Sequence, residues 1–408
     1  MLESLPSSLL WAVASFLQVE VVLLDIRLVC RACKKCATTH VSDEKVEQVD
    51  RLLCEVDVCR ISSLRLQKFS PLAEALLRRN RTHIESLSLR HLSYSPLLFR
   101  LDLTDFVSLA TLQLMFVNQK QLHAISQLSQ LTCLWIERCL AQQLEPLRGL
   151  ARLAELVLYY PFATGIEVVF TLHTVESLRI ELLSGSVRDP KYVVSELSAM
   201  PRLKRFVYEG PVALGGSNTL EVCDVANVFP TSPWQPPLRE FKCHSNLGHY
   251  VDFLPQSLEC LVCQLACSRD VRVLARRCPR LRDLSLGGRI RKLSDFNQFP
   301  HLRQLELCST RNLDLRQVSG ELEILRLTTT PGFLLLHVDS LLRLTSLREL
   351  ELPGNGFVAQ FLTRLPYLHT LVVINSSATI HVDGWSVREV DAHLRFERQE
   401  ICMAHANQ

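Results

Sequence analysis

The stretch "LRELELPGN" (residues 347–355) contains the pattern that decides the fold. An apolar residue is followed by two others, an apolar residue, one other and an apolar residue, with Leu347, Leu350 and Leu352 at the apolar positions. Period-two alternation in so short a segment predicts a β-strand that turns its leucines to one face. One such strand cannot bury that face alone, so a stable fold requires the pattern to recur along the chain.

The pattern occurs fifteen times along the chain, and the mean spacing between successive units is about 23 residues. Stacking such units would bury one continuous apolar core. The other fourteen are ISSLRL (61), IESLSL (84), LATLQL (109), LTCLWI (131), LAELVL (153), VESLRI (175), LKRFVY (203), LREFKC (238), LECLVC (258), LRDLSL (281), LRQLEL (302), LEILRL (322), LHTLVV (368) and a weaker VREVDA (387).

This spacing, the LxxLxL core and Asn355 resemble the leucine-rich repeat, over roughly residues 60–395. The resemblance implies an α/β fold, a leucine-rich-repeat solenoid over residues 61–400 with a short tail at 401–408. A curved parallel sheet of about 15 repeats would line its concave side. Short helices or turns, for example at 141–152 and 269–280, would cover the convex side.

Two longer intervals between units predict insertions near residues 182–200 and 209–237. The second insertion is rich in Gly and Pro, which is typical of loops. An insertion in a repeat array often becomes a loop at the binding face. A tolerated surface loop without a role is the alternative.

The head of the chain, "LPSSLLWAVASFLQVEVVLLDIRLVCRACKKCA" (5–37), resembles an F-box, the helical module by which a substrate receptor docks onto the Skp-type adaptor of a cullin ubiquitin ligase. Ala14 and Cys33 depart from the family pattern, and the loop at 18–22 is one residue longer. The resemblance implies a helical module at 1–40, connected to the repeats by residues 41–60. Its implied adaptor contacts are Leu5, Pro6, Leu9, Val13, Phe16, Leu17, Leu23, Leu24, Val29 and Cys30.

The same head contains a CxxCxxC run that could be taken for a metal site, with Cys30, Cys33, Cys36 and His40 as ligands. On a helix from about Leu23 to Ala37, however, Cys30 and Cys33 lie in an apolar stripe opposite a basic one. The four candidate ligands would span about 15 Å of that helix. Zinc holds its ligands within roughly 2.0–2.3 Å, so one rigid helix cannot surround it. The pattern predicts a core helix and no metal site.

Composition limits the remaining function classes. The chain has 408 residues, 48% of them hydrophobic and 21% charged, and its formal net charge of +3 is too small to indicate nucleic-acid binding. Fifteen cysteines, an odd number, favour a reducing compartment. The start lacks a positive signal-peptide region, and no stretch reaches the ~18 apolar residues of a membrane span. We expect a soluble cytoplasmic and/or nuclear protein with no membrane partner.

Motifs for catalysis are also lacking in the sequence: it has no GxSxG, HExxH, Walker or dinucleotide-binding signature. We therefore expect a non-catalytic protein with no catalytic residues and no cofactor.

The strand positions that alternate with the leucines predict a partner-binding surface. Trp135 beside Tyr159 is a candidate aromatic anchor. Glu137, Glu181 and Glu209 would share one column and make an acidic stripe that favours a basic partner. A solvated face with two exposed aromatics is the alternative. The full candidate set is Trp135, Glu137, Val157, Tyr159, Arg179, Glu181, Val207, Glu209, Lys242 and His244.

Two functions fit these observations. In the first, the head docks on a Skp-type adaptor and cullin complex while the repeats hold an unknown protein substrate. In the second, the chain is a plain leucine-rich-repeat scaffold whose head caps the open end of the array. Nucleic-acid binding ranks below both, because the exposed strand columns carry more acid than a phosphate backbone tolerates.

Overall fold

The structure is a computed structural model. It describes residues 40–41, 63–65, 77–89, 102–140, 143–159, 166–181, 197, 199–212, 219–228, 237–265, 268–288, 293–308, 313–314, 321–328, 335–336, 338–353, 365–374, 385–390 and 393–398. The chain divides into two compact units. The first comprises Met1–Tyr192 and Ala199–Leu203, and the second comprises Val193–Ser198 and Lys204–Gln408.

The first unit is a stack of parallel strands in which each strand pairs with the next one along the chain. Its strands are β1 (His40–Val41), β2 (Ser63–Arg65), β3 (Ser86–Leu89), β4 (Thr111–Val117), β5 (Cys133–Cys139), β6 (Glu155–Tyr159) and β7 (Ser177–Glu181).

The register of these strands aligns equivalent leucines of successive units. Leu112 pairs with Leu134, which pairs with Leu156, which pairs with Leu178. All four side chains are fully buried. Burying a leucine contributes roughly 1.5–3 kcal/mol, so one repeating row supplies much of the stability of the unit. The predicted stack of LxxLxL strands is confirmed here.

The connections between these strands contain short helices. Helix α1 (Gln119–Ile125) begins with a capping box, in which the Asn118 side chain accepts from the Gln121 N–H at 2.9 Å and the Gln121 side chain accepts from the Asn118 N–H at 3.0 Å. Leu122 and Ile125 anchor its apolar side in the core. Three 3₁₀ helices lie at Leu103–Asp105, Glu145–Gly149 and Ile166–Thr171.

The second unit repeats the same arrangement over more strands. It contains β8 (Arg205–Val212), β9 (Val222–Val228), β10 (Glu240–Asn246), β11 (Cys260–Leu265), β12 (Asp283–Gly288), β13 (Gln304–Cys308), β14 (Leu313–Asp314), β15 (Ile324–Thr328), β16 (Leu335–Leu336), β17 (Glu349–Pro353), β18 (Thr370–Ile374), β19 (Trp385–Val390) and β20 (His393–Arg398). Strands β14 and β16 form a separate two-stranded parallel sheet.

A recurring backbone contact locks the repeats of each unit in phase. The carbonyl oxygen just before a strand accepts two N–H groups from the next repeat. Thr132 O, for example, accepts from Ala154 N at 2.8 Å and from Glu155 N at 2.9 Å. In the second unit, Glu259 O accepts from Arg282 N at 2.8 Å and from Asp283 N at 3.0 Å. These bonds satisfy backbone groups that would otherwise be buried without partners.

The structure corrects the prediction that residues 209–237 are one loop insertion. Within them, β9 pairs in parallel with both β8 and β10. Its segment "LEVCDV" (220–225) buries Leu220, Cys223 and Val225 at the three apolar positions. Cys and Val replace two of the leucines, and the adjacent spacings are shorter than average, which hid this repeat in the sequence.

The predicted repeat "VREVDA" at 387 is also wrong. Strand β20 pairs antiparallel with β18, and β19 pairs antiparallel with β20, so the order is β18, β20, β19. The two strands form a hairpin instead of another parallel turn. The register nevertheless aligns apolar residues, since Leu371 pairs with Phe396, which pairs with Val387.

The strands begin before the predicted boundary at residue 61. His40 and Val41 form β1, which pairs with Ser63 and Leu64 of β2. One strand of the stack therefore lies at the start of the predicted connecting segment 41–60. His40, considered above as a metal ligand, belongs to this strand.

Helices and turns join the strands of the second unit, as predicted for 269–280. Helix α2 (Ser268–Arg277) buries Val271 and Leu274, while Arg272 and Arg276 are exposed. Further 3₁₀ helices lie at Gly248–Phe253, Leu293–Gln298 and Val338–Arg343. Together, the parallel register and these connections confirm an α/β leucine-rich-repeat solenoid.

Candidate protein-binding surface

The first strand face is the exposed side of β4 to β7, opposite the buried leucines. Its central row runs in register through Gln113, Trp135, Val157 and Arg179. Successive side chains of a strand point to opposite faces, so these four project from the face opposite the buried leucines. The structure thus brings together three of the residues predicted for partner binding.

An aromatic and charged ladder occupies this first strand face. The rings of Trp135 and Tyr159 are stacked with centroids 5.6 Å apart and planes 25° apart. The Arg179 guanidinium lies over the Tyr159 ring, 5.6 Å from the ring centroid. Its Nε also donates to Glu181 Oε1 at 2.7 Å. Offset aromatic pairs and cation–π contacts each contribute about 0.5–1.5 kcal/mol, so the ladder is pre-organised.

The remaining predicted residues near this ladder have different environments. Val157 lies in the central row but is only 5% exposed, because a short side chain stands between the larger Trp135 and Arg179. It therefore offers little surface to a partner. Glu137 is partly exposed. Glu181 is paired in register with Tyr159 and is neutralised by Arg179, which reduces the negative charge of the predicted acidic stripe.

The second strand face is the exposed side of β9 to β17 in the second unit. The predicted residues Lys242 and His244 both lie on it and both have acidic partners. Lys242 Nζ is 2.8 Å from Glu240 Oε1, and the hydrogen bond to Glu240 raises the pKa of Lys242 although burial opposes it. His244 Nε2 is 3.4 Å from Asp224 Oδ1. The other two predicted positions of this unit, Val207 and Glu209, lie on β8, where Glu209 is exposed.

Sequence reasoning missed the charged group at the other end of the second strand face. Arg326 donates from Nη2 to Glu349 Oε1 at 2.7 Å and from Nε to the same oxygen at 3.0 Å. Its Nε is also 3.8 Å from Glu351 Oε2. The hydrogen bond to Glu349 raises the pKa of Arg326. The alternation in "LEILRL" and "LRELEL" contained the signal for all three residues.

Several of the described cysteines have raised pKa values, which makes them poor nucleophiles. All eight described cysteines are free thiols. Burial, with the Glu155 carboxylate, raises the pKa of Cys133 to about 12. Burial likewise raises the pKa of Cys260 to about 11 and that of Cys278 to about 12. Since the thiolate is the reactive form, these side chains pack as small apolar groups.

Two further properties concern only the described part of the chain. It holds no group of three or more His, Cys, Asp or Glu side chains placed to bind a metal ion. Its helices are all too short or too polar to cross a membrane.

The adaptor contacts implied by the F-box resemblance lie outside the described residues. They are Leu5, Pro6, Leu9, Val13, Phe16, Leu17, Leu23, Leu24, Val29 and Cys30.

The known proteins that are similar to this chain were found among solved structures. No family model matches the sequence, and no curated protein matches it. An internalin from Listeria monocytogenes str. 4b F2365 shares 17% identity and a TM-score of 0.45, covering 74% of this chain and 92% of the internalin. An LRR protein from Leptospira interrogans shares 16% identity and a TM-score of 0.42, covering 81% of this chain and 92% of that protein.

The leucine-rich repeat domain of APL1 is similar to the same degree, with 16% identity and a TM-score of 0.44, covering 79% of this chain and 86% of the domain. The parallel register and the buried rows described above give this chain a leucine-rich-repeat fold.

Proposed function

We propose that this chain is a non-catalytic protein-binding scaffold, and that it serves as an F-box substrate receptor that recruits a protein substrate to an SCF-type ubiquitin ligase. The ladder of Trp135, Tyr159 and Arg179 carries the protein-binding part of this proposal. Large aromatic and Arg side chains dominate protein interfaces, and here three of them are already held in place before a partner arrives.

The ligase part of the proposal rests on the resemblance of residues 5–37 to an F-box. The position of β1 supports a division of labour, because the first strand that the structure describes, at His40, follows that segment in the sequence. Residues 1–39 would then dock on the adaptor, while the repeats hold the substrate. Free, buried cysteines agree with the reducing cytoplasm or nucleus, where such ligases act.

Reciprocal variants separate the two binding activities. We expect the wild-type chain to co-purify with a Skp-type adaptor and a cullin, and with a set of further proteins. Leu24→Asp would place a charge on the apolar docking surface, so it should abolish adaptor recovery and leave the other proteins bound. Trp135→Ala with Tyr159→Ala should do the opposite. Quantitative mass spectrometry of the purified complexes measures both.

Arg148→Ala, which alters an exposed residue of the 3₁₀ helix Glu145–Gly149, serves as the matched control and should change neither set. Adaptor recovery that is absent from the wild type, or undiminished by Leu24→Asp, would refute the ligase role. Full retention of the other proteins by the double variant would refute the ladder as a binding site.

The alternative is a scaffold without a ligase role, whose head caps the strand stack. The position of β1 makes the discriminating deletion specific: residues 1–38 can be removed while His40 and Val41 are kept. We expect the deleted protein to retain the thermal unfolding midpoint and monodispersity of the full chain. A large fall in the midpoint, with aggregation, would instead identify the head as a cap.

A further inference from the structure

We propose that the second strand face binds an extended, lysine- or arginine-bearing segment of the partner protein, with one basic side chain seated over Ser285 between Asp283 and Glu306. This inference deepens the proposed function and rests on its premise that the repeats bind a protein. It concerns a different unit of the chain from the aromatic ladder.

The second strand face is acidic in a chain that is basic overall. The formal net charge of the whole chain is +3. Among its described residues, the face has two strong bases, Lys242 and Arg326. Its acids are Asp224, Glu240, Asp283, Glu306, Glu349 and Glu351.

The surplus bases lie on the connections between the strands instead. Helix α2 and the turn after it expose four arginines, Arg269, Arg272, Arg276 and Arg280. The acids of the strand face are therefore separated from these arginines, although exposed carboxylates such as Asp252 and Glu321 lie on the connections too. Segregation of this kind orients a charged partner and raises its association rate.

The two cations of the face form their ion pairs toward its ends, and Arg326 also attracts Glu306, its register partner, at longer range. Lys242 pairs with Glu240 at one end, and Arg326 pairs with Glu349 and Glu351 at the other. Between them, Asp283 and Glu306 form no ion pair with a described residue. They lie on adjacent strands, where Ser285, two residues after Asp283, pairs in register with Glu306.

The environment of Asp283 shows the same excess of negative charge. Burial raises the pKa of the Asp283 carboxyl, Glu240 and Glu259 raise it further, and Arg282 opposes them. The ionised form is thus disfavoured by its own surroundings. A cation brought by a partner would relieve that repulsion. Its binding at this position is therefore more favourable.

The surface between the two carboxylates is low enough to admit a side chain. Val262 and Ser285 are register partners with short side chains, and both are partly exposed. Next to them, Gly287 leaves room for the Gln264 side chain to lie flat, since an added Cβ would be 3.2 Å from Gln264 Cγ. A lysine or arginine side chain can therefore approach Asp283 and Glu306 from the side of β11 and β12, where Val262 and Ser285 are short; on its other side Glu306 has Arg326 as its register partner.

The spacing of the strands sets the length of the bound segment. Adjacent strands are about 4.8 Å apart, and six steps separate Asp224 on β9 from Glu351 on β17. That distance is about 29 Å, which an extended chain of about nine residues covers. A folded basic domain would touch fewer of these positions at once, so an extended segment fits better.

The test uses the full chain and a fluorescein-labelled peptide of about nine residues in which Lys and Ser alternate. Fluorescence anisotropy gives the dissociation constant. We expect the wild type to bind this peptide, and Asp283→Asn with Glu306→Gln to weaken binding about tenfold. Binding to the wild type should also weaken more steeply with salt than binding to the double variant.

The matched control is Asp252→Asn with Glu321→Gln, which removes two exposed carboxylates of the second unit outside the strand face. This variant should bind the Lys–Ser peptide within about twofold of the wild type, and a Glu–Ser peptide should not bind at all. Equal weakening by both double variants would indicate diffuse attraction and overturn the inference. Failure of the wild type to bind the Lys–Ser peptide would overturn it too.

These outcomes are independent of those for the proposed function. If Asp283→Asn with Glu306→Gln retained the peptide while Trp135→Ala with Tyr159→Ala lost its protein partners, only the present inference would fail. If no protein partner were recovered by the wild type but the peptide bound as expected, the proposed function would fail instead. Circular dichroism of each variant confirms that it is folded.

Discussion

Replacing Gly288 by alanine is expected to destabilise the second unit by about 2–5 kcal/mol. Gly288 ends β12 with φ of 120°, a conformation that other residues rarely adopt. A Cβ built there would lie 2.2 Å from the Leu265 carbonyl oxygen of the adjacent strand. Because that oxygen belongs to the backbone, β11 and β12 would have to separate to admit the methyl group.

Gly287→Ala is the matched control, one residue earlier on the same strand. Its added Cβ would come closest to the flexible Gln264 side chain, at 3.2 Å, and would be in ordinary contact with the Cys263 carbonyl oxygen at 4.0 Å. We expect this variant to stay within about 1 kcal/mol of the wild type. Urea unfolding followed by circular dichroism compares the two. Similar midpoints for Gly288→Ala and Gly287→Ala would contradict the tight approach of β11 and β12.

The second large effect is expected at the repeat hidden in residues 209–237. Val225 on β9 is 1% exposed and lies in the inner row between Tyr208 and Cys243. Val225→Asp would bury a carboxylate without a partner and should cost about 3–5 kcal/mol of unfolding free energy. If this segment were a surface loop, the same substitution would be nearly neutral.

Ala226→Asp provides the control at the next residue, which faces the exposed side of the sheet. An aspartate there stays in water, so we expect a change of less than about 1 kcal/mol. Thermal unfolding of the two variants gives the contrast directly. Equal stabilities would show that β9 does not pack as a repeat. The second strand face would then lack β9, its first strand.

Most of the strand framework could be predicted from short segments. In "LTCLWI" and "LRDLSL", three apolar positions and the alternation between them identify the strand, its buried face and its exposed face. The prediction failed where that local signal was altered. "LEVCDV" was missed because Cys223 and Val225 replace leucines, and "VREVDA" was misassigned because an alternating segment looks the same in a parallel repeat and in an antiparallel hairpin.

The candidate binding surfaces were predicted less completely. Alternation placed Trp135, Tyr159 and Arg179 on the exposed face, but their mutual contacts follow from the register of three strands. Arg326 was missed, although it is exposed by the same alternation, because its importance comes from Glu349, a residue 23 positions away in the sequence. The adaptor contacts implied for Leu5 to Cys30 stay a prediction.

The sequence by itself determined which side chains are buried, since burial follows from a period-two pattern within six residues. It likewise determined the repeating parallel stack, because each unit needs a neighbour to cover its apolar face. Only the tertiary structure decided that β20 lies between β18 and β19. It also decided that Arg326 neutralises Glu349 while Asp283 and Glu306 stay without ion pairs among the described residues. Strand order and charge pairing depend on residues far apart in the chain, and no local pattern encodes the register that brings them together.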